Sequence, residues 1–204
     1  MIGQLCISCR SAPAVFFLSK IEWTDSELLI AFSGVQGGQR QVVCRFVELL
    51  HLENRLSCQS FDVDELPSPV RDHPLLWEWT DCNCDLYFAA APPEAHAVIG
   101  DLVAVHDALA GQWFPFKTWL ARRPLQSQTD LLGSGSGCFA HGPRRVMQAY
   151  QDVLARHGCR PSLLRAGPCA EMSDEEIRAC SEMSALVFCP QFYVLAASFE
   201  NSAA

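Results

Sequence analysis

The apolar residues of this chain change their period along its length, and that switch constrains the fold more than any motif does. In QVVCRFVEL (Gln41–Leu49), Val42, Cys44 and Phe46 alternate with Val43, Arg45 and Val47. Alternation of that kind turns one face of a strand towards a core. SELLIAFSG (Ser26–Gly34) is a second β-rich run, and the Gly37–Gly38 pair between the two is a hairpin signal. A lone hairpin is marginal in water, so an earlier strand over Ala14–Trp23 is expected to pair with it.

Further along, the period lengthens to that of a helix. Ala95, Val98, Ile99, Leu102, Val105 and Leu109 form one stripe in a helix that begins near Pro92–Pro93. Gly142 and Pro143 open a second helix with Val146, Met147, Tyr150, Val153 and Leu154 on its apolar face, and Gly158 closes it. Ser173 to Glu176 reads as the capping box of a third. Strands are expected at Cys138–His141, at Ser162–Arg165, and in two closing runs separated by a Cys189–Pro190–Gln191 turn. LLWEWTDCNCDLYFAA reads as another hairpin, with Leu75, Trp77 and Trp79 going in and Leu86 and Phe88 coming out.

Strands first and helices interleaved with strands later define an α+β fold: a mostly antiparallel sheet with N-terminal β-hairpins and about three helices packed on it. One domain over 1–204 is the default for this length. The aperiodic, acid- and proline-rich loop 60–74 is a candidate internal boundary between an N-terminal β-rich part and a C-terminal α+β part.

Composition narrows the partners. A net charge of −8 repels a phosphate backbone, so no nucleic acid is expected. No apolar run approaches the ~20 residues a membrane helix needs, and the N-terminus lacks the basic region of a signal peptide. Eleven cysteines, an odd number, fit a cytoplasmic chain with reduced thiols. Cys44, Cys138, Cys180 and Cys189 then read as core atoms.

Several residues could carry chemistry. Cys6, Cys9, Cys82 and Cys84 have the look of two half zinc sites, although C-x-C is not the usual knuckle. His106 on its apolar stripe reads as a buried histidine held by a backbone carbonyl, and His157 as a cation at a helix C-terminus. His141 closes a strand and Cys138 lies three residues before it; on a regular strand the two face opposite ways. Gly142, Arg144 and Arg145 stand at a helix start, where free N–H groups favour anions. The Gly133–Gly137 run lies before the strand rather than between strand and helix, so it reads as a flexible connector and not as a nucleotide loop. Trp113, Phe114, Phe116 and Trp119 form either core or an exposed patch for a partner.

No complete catalytic constellation emerges. The expected function is therefore a non-enzymatic binding or regulatory module for a protein partner, immunity-like or adaptor-like only by analogy of class. The alternative is a small-molecule enzyme or anion-binding protein using the His141–Arg145 junction, and a third reading is a zinc-stabilised protein. No cofactor is expected.

Overall fold

The computed structural model describes residues 15–34, 38–52, 61–62, 67–121 and 127–203. In chain order its strands are β1 (Val15–Trp23), β2 (Glu27–Gly34), β3 (Gln39–Leu52), β4 (Phe61–Asp62), β5 (Asn83–Ala89), β6 (Ser136–Pro143), β7 (Arg160–Arg165), β8 (Ser184–Cys189) and β9 (Phe192–Ala203). Its helices are α1 (Trp77–Thr80), α2 (Ala95–Leu109), α3 (Gln128–Gly133), α4 (Arg144–Arg156) and α5 (Asp174–Cys180). The fold is α+β, with two antiparallel sheets and N-terminal hairpins. The chain divides into two compact units, one made of 1–69 with 186–204 and the other of 70–185, each with its own core. No helix among the described residues is long and apolar enough to cross a membrane.

The first unit is built on a six-stranded sheet of order β4-β1-β2-β3-β9-β8. Leu28, Ile30 and Phe32 of β2 face the core, opposite Val42 and Cys44 of β3 and beside Val194 and Ala196 of β9. Gly38 takes the left-handed φ of 105° in the turn between β2 and β3. Burial pushes the Cys44 thiol up to about 12, so it stays protonated and packs as a small hydrophobe. Phe32 and Phe188 approach to 5.1 Å although β3 and β9 lie between their strands, so the sheet curls over its own buried face. Leu18 and Ile21 both reach this core despite being three apart, because the register slips between Leu18 and Lys20.

The alternation read from β3 fails at one residue. Phe46 does not continue the Val42–Cys44 face; it is 79% exposed, with φ at 53°. A left-handed residue rotates the strand out of phase, and the side chains that meet the core beyond it are Val47 and Leu50.

The second unit is a three-stranded sheet, β6-β5-β7, with one face under the helices. Cys84, Leu86 and Phe88 of β5 point into that core, where they join Val98 and Leu102 of α2 and Val146, Met147, Tyr150, Val153 and Leu154 of α4. All five apolar positions read for α4 are buried, and Gly158 ends the helix at φ 77°. On α2 the stripe is narrower than its spacing suggests, since Leu109 is exposed. The chain at 119–121 adds to the edge of β6 through His141 N–H to Trp119 O and Ala121 N–H to Phe139 O, both 2.8 Å.

Two expectations are corrected by the fold. The segment read as the first arm of a hairpin is helical: Pro74–Leu76 forms a 3₁₀ turn and runs straight into α1. Pro74 sets the first φ, and His73 Nδ1 accepts from the Leu75 N–H, so the backbone bends before any strand can form. The glycine run joins two elements: Gly133 ends α3, Gly135 at φ 82° leads the chain into β6, and Gly137 at φ 152° is its second residue. Cys180 is exposed on α5 rather than part of a core. The core expected of Cys189 concerns a side chain outside the described residues.

The capping box on α5 forms as read: Ser173 Oγ accepts from Glu176 N–H, and Glu176 accepts from Ser173 N–H. Those bonds hold the Glu176 carboxyl below its ordinary value of 4.5. A depressed folded value stabilises above 4.5 and loses that stabilisation as the pH falls. Replacing the cap, Ser173→Ala, is expected to lower stability by about 1 kcal/mol near neutral pH, read from urea denaturation midpoints.

Candidate functional site

Arg145 is the second residue of α4, and its environment explains how the start of that helix is satisfied. Pro143 supplies no side-chain cap. Asp81 does the work from another element: its Oδ2 accepts from the Arg145 N–H at 2.9 Å and from Arg145 Nε at 3.3 Å, while its Oδ1 accepts from Cys82 N–H. With 8% of its side chain exposed, Asp81 is an internal anion at a helix N-terminus, where the dipole favours it. The Arg145 guanidinium also lies 5.0 Å above the Trp77 ring and reaches Asp72 Oδ1 at 2.8 Å.

A cleft of about 420 Å³ opens beside this arginine. Arg71, Arg145 and Arg178 line it, with Asp72, Thr80, Ser181 and Met183. Each comes from a different local cause. Val70 and Ala185 exchange two backbone hydrogen bonds and so fix the chain beside Arg71. Arg178 is carried by α5, whose first residue, Asp174, is ion-paired to both Arg144 and Arg165. Ser181 follows α5, and its hydroxyl is buried with no hydrogen-bond partner among the described residues. Among the described residues, neither Arg71 nor Arg178 has a carboxylate partner. Guanidinium forks of this kind match the oxygens of phosphate and carboxylate.

The residues singled out from sequence are distributed as follows. Arg145 lines the cleft, whereas Arg144 is engaged by Asp174 and Gly142 is buried. Gly142 serves packing: a Cβ there would lie 2.5 Å from Trp119 Cδ1. His141 and Cys138 do not line the cleft. They share the outer face of the sheet, contrary to the opposite faces expected of a regular strand. The register slips at Phe139, so His141 pairs with Asp85 and Cys138 with Tyr87, two residues apart on β5. His141 Nδ1 meets Asp85 Oδ1 at 2.6 Å.

His106 is completely buried and is held as expected by a backbone carbonyl, with Nε2 2.6 Å from Phe114 O. Its Nδ1 lies 2.7 Å from the Tyr150 hydroxyl. His157 caps α4 and reaches Asp101 Oδ2 at 2.9 Å. The aromatic segment belongs mainly to the core. Trp119 is buried, Phe114 and Phe116 pack against the same cluster, and Trp113 is half-buried against His73. These four rings make no exposed patch.

Cys82 and Cys84 are buried thiols directed at carbonyl oxygens, those of Asn83 and Cys169 for Cys82 and that of Cys82 for Cys84. Burial pushes Cys84 up to about 11, a protonated thiol rather than a metal-ready thiolate. Cys6 and Cys9 lie outside the described residues. Among those described, no group of three or more His, Cys, Asp or Glu side chains could hold a metal.

No protein family, curated protein or solved structure matches the chain. The site defines a class on its own geometry: an α+β unit carrying an arginine-lined cleft. Arg71, Asp72, Arg178 and Ser181 give no signal in the sequence, since single residues far apart in a chain make no pattern until the fold joins them.

Proposed function

We propose that the unit spanning 70–185 is a non-enzymatic binding module whose cleft takes an anion. One observation carries this reading: two cleft-lining guanidiniums, Arg71 and Arg178, lack a carboxylate partner among the described residues of a chain whose net charge is −8. In a chain with that excess of acids, cations without carboxylate partners gathered around one concavity favour an anionic ligand there. The buried, unpartnered Ser181 hydroxyl adds a donor or acceptor to the same wall. The reading keeps Arg145 from the His141–Arg145 junction and moves the site towards α5. It replaces recognition of a partner by the 113–119 rings, which are engaged in packing. The free thiols of Cys44, Cys82, Cys84, Cys159, Cys169 and Cys180 support a reducing, cytoplasmic setting.

Calorimetric titration with inorganic phosphate tests the reading. Wild-type protein is expected to bind, and Arg71→Ala with Arg178→Ala is expected to weaken binding by about tenfold or more per arginine, from ~1.5–3 kcal/mol for each charge-assisted hydrogen bond. Both side chains are on exposed residues, so the thermal midpoint without ligand stays close to wild type. Equal binding by the double variant sinks the proposal.

A further inference from the structure

Resting on that reading, we infer that the cleft's ligand is a small phosphomonoester, and that Asp72 is the built-in counter-ion its phosphate replaces on Arg145. The two carboxylates that hold Arg145 differ in kind. Asp81, 8% exposed, binds Nε and the backbone N–H, and with Trp77 it fixes the plane of the guanidinium. Asp72, 81% exposed, binds only Nη1, and both residues line the cleft. An ion pair that exposed is weak and readily exchanged. Arg145 is thus held in place by Asp81 while Asp72 keeps its free edge occupied.

Charge and shape favour a phosphate over a carboxylate. The lining holds three arginines and one aspartate, a net of +2 (3 − 1), and a phosphomonoester near neutral pH carries close to −2. Departure of Asp72 from Nη1 frees an edge of Arg145 in the cleft that Arg71 and Arg178, without carboxylate partners among the described residues, also line. A tetrahedral phosphate offers three outer oxygens to three guanidiniums arriving from three stretches of chain, whereas a carboxylate offers two in one plane. The 420 Å³ volume falls in the range of small-molecule sites, so it has room for the esterified portion beside Thr80 and Met183.

The test compares glycerol 2-phosphate, acetate and a phosphoserine heptapeptide on the full chain, with wild type and Asp72→Asn. Glycerol 2-phosphate is expected to bind at least tenfold tighter than acetate, and Asp72→Asn to tighten it a further about three- to tenfold by removing a competing, repelling charge. Asp72 is a surface residue, so the variant folds as wild type does. The inference is overturned if Asp72→Asn leaves the affinity unchanged, if acetate matches the phosphomonoester, or if the peptide binds and glycerol 2-phosphate does not. When any of these occurs while the arginine double variant still loses phosphate, the anion cleft stands and only its ligand assignment falls. When wild type and Asp72→Asn both fail to bind any phosphate, the two fall together.

Discussion

Replacing His106 by alanine is expected to lower the stability of the 70–185 unit by about 3–5 kcal/mol, the range for truncating a large, fully buried ring. Three contributions add. The imidazole is completely buried between α2 and α4, so its loss leaves a cavity against Phe116, Trp119 and Tyr150. Phe114 O can only accept, so Nε2 carries a proton and its removal leaves that carbonyl without this donor. Burial pushes the Tyr150 phenol up, which keeps its O–H as the donor to Nδ1, and it too loses its partner. Tyr150→Phe deletes only the last of these bonds and is expected to cost about 1–3 kcal/mol, the penalty of one unsatisfied buried group. Urea denaturation followed by tryptophan fluorescence reads the effect, because Trp77, Trp79, Trp113 and Trp119 all lie in this unit. The two losses should be strongly non-additive in the double variant. A His106→Ala cost below about 1 kcal/mol would show that the ring does not tie α2 to α4.

Gly142→Ala is the second large effect, about 1–3 kcal/mol of destabilisation, typical of forcing a methyl group into a packed core. The added Cβ would stand 2.5 Å from Trp119 Cδ1 and 2.8 Å from Cγ, closer than any real contact, and neither ring nor strand can retreat easily. Trp119 is buried, and its own backbone carbonyl accepts from His141 N–H next door. The same substitution in a Trp119→Leu background should therefore cost less, and the difference measures the clash directly. Equal costs in both backgrounds would place the strain elsewhere. This glycine, read as part of an anion-binding turn, is needed because an indole lies on it.

Some of this molecule was legible before any coordinate. The α4 face, the α5 capping box, the β2–β3 hairpin and the buried His106 on a backbone carbonyl each rest on one short continuous stretch of chain. Their causes are local: helical or strand periodicity, a serine three residues before a glutamate, and a glycine free to take a positive φ. Errors arose where a single residue changed phase. A proline turned an apparent strand at Leu75–Trp79 into a helix. Bulges shifted which residues share a face on β3 and β6. Alternation cannot reveal a bulge, because one extra residue alters the phase without altering the composition.

By itself, then, the sequence determined the α+β class, the order of most elements, and which side of α4 would be buried, since those follow from the spacing of apolar side chains along the backbone. Only the tertiary structure decided the site. Arg71, Arg145 and Arg178 stand on three separate stretches of chain, and it is the Val70–Ala185 bridge, Asp81 at the start of α4, and Asp174 binding α5 to its neighbours that bring them to one cleft. Charge placed by long-range contacts leaves no period to read, because its meaning depends on distances that exist only after the chain has folded.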